Sequence, residues 1–232
     1  MKLYQRIMSR FLSSNHAMVR SQFARLPINP GDVVLLGDSI TQGGLWSEWF
    51  PGRVIRNRGI LGDTSADILG RLEDAMPSES SSLFLLVGIN DIGFGISKEE
   101  TVNNVRMILT AIQARVPSAR IYLQSVMPSK PKRSTKIRDL NAGYRALALR
   151  LGVEYLDLWP ALADDDGVIR KEFTGDGTHL TGAGYDAWVG VLRALVDRSA
   201  DQGTLDEVSS STATREPGAN GHRERVAPPH TL

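Results

Sequence analysis

The chain has 232 residues, of which 41% are hydrophobic and 23% charged, and its formal net charge is +1. That length fits one sizeable domain with appendages, and the near-neutral balance gives no global field for nucleic acid or an anionic membrane. The absence of cysteine excludes a thiol nucleophile and thiolate metal sites, and no apolar run approaches the roughly 20 residues that span a bilayer.

In chain order, residues 2–25 carry Leu3, Ile7, Phe11, Met18 and Phe23 at broadly helical spacing, which predicts an N-terminal helix packed on the domain. The segment is basic but has no continuous apolar stretch, so it does not read as a secretory signal, and a cytoplasmic protein is expected. Val33-Val34-Leu35-Leu36, between Pro30-Gly31 and Gly37, predicts a buried strand. Further strands are expected at Val54-Ile55, from Leu83 to Val87, from Ile121 to Leu123 and from Val153 to Leu158. Helical patterns separate them. Residues 64–75 have Ile68, Leu69 and Leu72 on one face. Ser97 and Glu100 form a capping-box pattern before Val102, Val105, Ile108, Leu109 and Ile112, with a stop before Pro117. Residues 135–151 space Ile137, Leu140, Tyr144, Leu147 and Leu151 for one face, and Thr181 caps a last helix through Trp188, Val189, Leu192 and Leu195. Strands alternating with helices imply a parallel sheet, and near-continuous apolar strands imply that both faces are covered. The expected class is α/β, an open three-layer α/β/α domain without internal repeats. From about residue 200 the composition turns to Ser, Thr, Gly, Pro and mixed charge, so residues 1–200 are expected to form the domain and 201–232 a disordered tail.

Open α/β sheets bind ligands beyond the carboxyl ends of their strands. Gly37-Asp38-Ser39, Gly59 to Thr64, and Gly88-Ile89-Asn90-Asp91 follow the first three strands, and Asp176-Gly177-Thr178-His179 precedes the last helix. His16 lies before the first strand and His222 and His230 in the tail, which leaves His179 as the histidine for acid–base work in the domain. It would take the proton of Ser39 in attack and return it to the leaving group, with Asp176 holding the imidazole. The N–H of Ser39, the N–H of Gly62 and the side-chain amide of Asn90 are candidate donors to an oxyanion.

Blander readings stand beside these. Ser39 alone fits a helix N-cap, and Asp176 and Asn90 fit turns. Asp38, Asp63 and Asp91 suggest a carboxylate metal site, although holding the loops through backbone N–H groups is the favoured reading. Trp46 and Trp49 suit either a pocket wall or the core. Arg58, Lys130, Lys132 and Arg133 suit an anionic substrate, but for 130–133 a solvated surface is the simpler reading. Met127-Pro128 is placed at the pocket rim.

The pattern lacks the G-x-S-x-G nucleophile elbow near Ser39. GDSIT at 37–41, Gly62 within NRGILGDTS, GIND at 88–91 and DGTH at 176–179 together resemble the SGNH (GDSL) hydrolase family. The stretch WSEWFPGRVIRNRGILGDTS is similar to its platelet-activating-factor acetylhydrolase-like and carbohydrate O-acetylesterase-like branch. The resemblance implies five parallel strands in a flavodoxin-like order. It implies a Ser39–His179–Asp176 triad and an oxyanion hole of Ser39, Gly62 and Asn90. It implies ester or thioester hydrolysis without metal or cofactor, on a small-molecule ester, most simply with a short acyl group such as acetyl. A lysophospholipase or acyl thioesterase on the same triad and a catalytically silent binding module are the alternatives; oligomeric state is left open.

Overall fold

The computed structural model describes the backbone of residues 2–79 and 81–212 and the side chains of 13–79 and 81–198. Five strands form one sheet: β1 (Val33–Gly37), β2 (Ile55–Gly59), β3 (Ser82–Leu86), β4 (Arg120–Gln124) and β5 (Glu154–Leu156). All neighbours are parallel and the order is β2-β1-β3-β4-β5, the flavodoxin-like arrangement. The helices are α1 (Lys2–Phe23), α2 (Ser39–Gln42), α3 (Trp46–Trp49), α4 (Ser65–Gly70), α5 (Ile89–Phe94), α6 (Lys98–Arg115), α7 (Pro131–Leu151), α8 (Trp159–Leu162) and α9 (Gly182–Thr212).

The step from β1 to β2 crosses the sheet one way and the later crossovers go the other way. Right-handed connections therefore put them on opposite faces. α4, α6 and α7 pack side by side as one outer layer. On the other face α3 meets α9 through Trp46 and Trp188, edge to face with ring centroids 4.9 Å apart. β1 and β3 are buried along their whole length. Leu35, Leu36, Leu83 and Leu85 are at most 1% exposed, and burial of each such side chain contributes about 1.5–3 kcal/mol.

The edge strands explain where the sequence reading fell short. β2 extends to Gly59 through Arg56, Asn57 and Arg58, whereas only Val54-Ile55 carried an apolar signal. An edge strand tolerates polar residues and is protected from mispairing by them. α7 starts at Pro131 rather than at 135, because proline suits the first helical turn, where an N–H has no partner anyway. Ser97 caps α6 as expected, its side chain accepting from Glu100 N–H. The backbone of α9 continues past residue 200 to Thr212. The rest of the expected tail, 213–232, lies outside the described residues. Among the described residues no helix is long and apolar enough to cross a membrane.

Candidate active site

Register sets the floor of the site. Gly37 of β1 is level with Gly59 of β2 and with Leu86 of β3, so the chain leaves these strands at one height. The segments that follow carry Ser39, Gly62 and Asn90. β1 lies between strands reached in opposite directions, the switch point at which open α/β sheets bind ligands.

Asp38 caps α2 by accepting from Ile40 N–H at 2.9 Å, which fixes the turn presenting Ser39. Ser39 Oγ lies 3.0 Å from His179 Nε2, and His179 Nδ1 lies 2.7 Å from Asp176 Oδ2. A carboxylate at Nδ1 favours the tautomer with hydrogen there and leaves the Nε2 lone pair facing the hydroxyl. Partial burial works against ionisation of Asp176. Hydrogen bonds from the His179 ring and from the His179 and Thr178 N–H groups outweigh it and draw the carboxyl down to about 2. The side chains of His179 and Asp176 are 52% and 54% exposed, so substrate and water reach the imidazole without any opening of the fold.

The loop bearing these residues is tied at each backbone turn. Asp176 Oδ1 accepts from Thr178 N–H and His179 N–H, each at 2.8 Å. Thr174 Oγ1 accepts from Gly177 N–H at 2.9 Å and donates to His179 O at 2.7 Å. Ser129, buried after β4, donates from Oγ to Gly177 O at 2.6 Å and joins the loop to the sheet.

On the other side, Gly62 has φ +85°, a conformation side-chain-bearing residues avoid, and its bare Cα leaves its N–H open to a ligand. Neither Ser39 N–H nor Gly62 N–H is taken up by a backbone partner among the described residues. Asn90 sits in the first turn of α5, not in a loop as its motif suggests, and donates from Nδ2 to Asp63 O at 2.9 Å. One amide hydrogen anchors the side chain and the second remains. The turn into α5 requires Gly88. Its φ is +122°, and a Cβ there would lie 2.9–3.0 Å from Val126, Leu140 and Tyr144.

The remaining candidates sort cleanly. Asp91 is fully buried and accepts from Ser65 N–H and Oγ, the latter at 2.5 Å, which holds α4 to α5. Asp63 differs from the expectation: its carboxylate faces the guanidinium of Arg71, not a backbone N–H. Burial raises the carboxyls of Asp63 and Asp91, and it pushes Asp38 up to about 7. Among the described residues no group of three or more His, Cys, Asp or Glu is arranged to hold a metal ion. Trp46 is core, packed on Phe50, Tyr185 and Trp188 with Nε1 donating to Thr41 O, while Trp49 is half-buried against that cluster. Arg58 is buried and donates to the carbonyls of Asp74, Asn57 and Leu26, so it is not offered to a substrate. Lys130 and Lys132 are exposed, and Arg133 reaches Thr178 Oγ1 at 3.4 Å. Met127 and Pro128 are buried and, with Asp38, Ile40, Ile89 and Thr178, line a cavity of about 10 Å³ beside Ser39. A wider cleft of about 440 Å³ lies between α1 and the Gly62 loop, with Phe94 at its rim.

The model of the GDSL-like lipase/acylhydrolase family matches residues 35–187, which takes in the segments carrying Ser39, Gly62, Asn90, Asp176 and His179. The chain belongs to that family. It is a GDSL hydrolase, acting on carboxylic esters. The human platelet-activating factor acetylhydrolase IB subunit alpha1 is 28% identical over 205 residues, covering 84% of this chain and 87% of the relative. The rat alpha2 subunit is 28% identical over 163 residues, covering 66% and 71%. A solved Streptococcus pneumonia protein named for platelet activating factor superposes with TM-score 0.79 at 26% identity, covering 84% of this chain and 99% of that one. A GDSL-like lipase from Bacteroides thetaiotaomicron, at 24% identity and TM-score 0.68, shares the fold over 80% of this chain and 98% of its own.

Sequence reasoning missed three residues at the GDSL hydrolase's site. Arg71 was hidden in a helix read by its leucines, yet its side chain is fully buried. His16 was set aside by position, yet its Nε2 lies 3.2 Å from Asp63 Oδ1. Ser129 carries no motif; only the fold places it against Gly177.

Proposed function

We propose that the protein is a serine esterase that cleaves short-acyl esters, foremost acetyl esters, through an acyl-enzyme on Ser39. The observation that carries this reading is the continuous chain from Ser39 Oγ to His179 Nε2 at 3.0 Å and from His179 Nδ1 to Asp176 at 2.7 Å. As Oγ bonds to the ester carbonyl carbon, its proton passes to Nε2, and Asp176 stabilises the imidazolium without becoming protonated. The carbonyl oxygen becomes an oxyanion that receives Ser39 N–H, Gly62 N–H and the second hydrogen of Asn90 Nδ2. Collapse expels the alcohol, which leaves with the proton from Nε2. Water then attacks the acyl carbon, giving one proton to Nε2, and Ser39 regains it as the acid departs.

The preference for a short acyl group rests on the cavity lined by Ile40, Ile89, Met127 and Thr178. At about 10 Å³ it has room for a single water-sized group. The acetylhydrolase relatives point the same way. A fluorophosphonate probe followed by peptide mass spectrometry, with a p-nitrophenyl ester series from acetate to octanoate, tests the reading. We expect the adduct on Ser39 and the highest kcat/KM with acetate. An adduct elsewhere sinks the mechanism, and a preference for octanoate replaces the short-acyl reading with that of a lysophospholipase or long-chain thioesterase.

A further inference from the structure

Arg71, between α4 and the 3-10 turn Leu72–Ala75, belongs to none of the motifs, yet its side chain has no exposure. Nε donates to Asp63 Oδ2 at 2.6 Å. Nη2 donates to Gly37 O at 3.2 Å and to Arg58 O at 2.9 Å. One guanidinium thus spans the carboxyl ends of β1 and β2 and the loop between β2 and α4. Gly37 stands two residues before Ser39. Asp63 directly follows Gly62, and its carbonyl is the acceptor that anchors Asn90 Nδ2 at 2.9 Å. The segments carrying the three oxyanion donors therefore meet at a single buried ion pair.

Such a pair is a poor choice for stability alone. Two desolvated charges seldom return more than an apolar pair of equal volume, and Arg71 Nη1 is buried without a hydrogen-bond partner. Its geometric value is greater. A planar guanidinium fixes several acceptors at once with one rigid group, which a lysine ammonium on a flexible stem does not reproduce. α1 adds a third member: His16 Nε2 lies 3.2 Å from Asp63 Oδ1, close enough to pair but angled away from a hydrogen bond.

We infer that the Arg71–Asp63 pair is a positioning element for the oxyanion hole, setting the Gly62 N–H and the Asn90 amide relative to Ser39. The inference rests on the esterase reading above, in which those groups receive the oxyanion. A pair that only held the fold together would affect activity in proportion to unfolding. A pair that aims the donors acts on kcat in the folded enzyme, because the donors matter most when charge has developed.

The test is a double-mutant cycle on the full chain with p-nitrophenyl acetate, using Arg71→Lys and Asn90→Ala. In the wild-type background Arg71→Lys is expected to lower kcat about 10- to 100-fold with KM within about 3-fold. In the Asn90→Ala background the same change is expected to cost less than a third of that factor, since one of the donors it aims is already gone. The low-pH limb of the pH–rate profile is expected to stay in place. Where Arg71→Lys lowers the melting temperature into the assay range, Asp63→Asn, nearly isosteric, carries the same cycle. Wild-type kcat in the folded variant, or effects of the two changes that simply multiply, would overturn the inference. A wild-type enzyme that fails to cleave p-nitrophenyl acetate would instead sink the esterase reading on which it rests.

Discussion

On the proposed mechanism Asn90 serves both position and chemistry. With one hydrogen on Asp63 O, Asn90→Ala leaves a carbonyl without its partner and, on the mechanism proposed above, removes an oxyanion donor. We expect kcat to fall about 10²–10³-fold, on the order of 2.7–4 kcal/mol of transition-state stabilisation, with little change in KM. Stability should fall by roughly 1 kcal/mol for the lost anchor. Steady-state kinetics beside urea denaturation separates the two effects, and an unchanged kcat would leave the hole with two backbone donors. Asp38 gives a pH signature. Its carboxyl is raised in the folded chain from 3.8 to about 7, chiefly by burial, with the Asp63 and Asp91 charges adding to the rise and Ile40 N–H opposing it. Between those values the unfolded chain loses the proton while the folded chain keeps it. The group's contribution thus turns against folding as pH rises from about 4 to about 7 and stays constant above that. Asp38→Asn is expected to flatten that part of the stability profile, read from urea midpoints at pH 4, 5.5 and 7.5. An unchanged difference between variant and wild type across the range would show that Asp38 titrates normally.

At the scale of elements, the catalytic loop and the sheet are separate pieces joined by a few hydrogen bonds. Ser129 supplies the tie from the end of β4 to Gly177 O at 2.6 Å. Ser129→Ala leaves the loop's internal bonds from Thr174 and Asp176 intact and releases its anchor. Small displacements of a reacting group are costly in rate, so kcat should drop about 10-fold while the melting temperature moves by only a few degrees. Differential scanning fluorimetry and p-nitrophenyl acetate turnover check this, and a variant with full activity would show that the internal bonds suffice. This tie was not legible beforehand. Ser129 stands 47 to 50 residues from Asp176 and His179, and nothing local marks it as a partner. The loop itself was legible, because Asp176 three residues before His179 is a local relationship that a turn satisfies without tertiary help.

For the whole molecule, the two layers are stapled through a few large side chains. Trp188 of α9 is fully buried, stacks with Tyr185, meets Trp46 edge to face, and donates from Nε1 to Gln124 Oε1 at 2.8 Å. Trp188→Ala should cost about 3–5 kcal/mol and leave Gln124 unpaired. Since Tyr185 also donates to Ile40 O at 2.7 Å, beside Ser39, activity is expected to fall with stability. Urea unfolding followed by far-UV circular dichroism gives the magnitude, and a loss below about 1 kcal/mol would mean that α9 docks by other contacts.

The sequence by itself determined the class of fold and the family. Short apolar runs such as Val33 to Leu36 and Leu83 to Leu86 are long enough only for strands, and their continuous burial demands helices on both sides. The motifs at their ends are local, so Ser39, Asp176 and His179 stand out as candidates from neighbouring residues alone. What only the tertiary structure decided is how those ends are held together. The strand order makes β1 adjacent to both β2 and β3, and the register levels Gly37, Gly59 and Leu86. A buried arginine, set among the apolar residues Ile68, Leu69 and Leu72, then ties the strand before Ser39 to the Gly62 loop. Burial of a charge has no periodic trace in a chain, because it is made tolerable by partners far away in sequence. Such groups become visible only when the sheet brings their partners within about 3 Å.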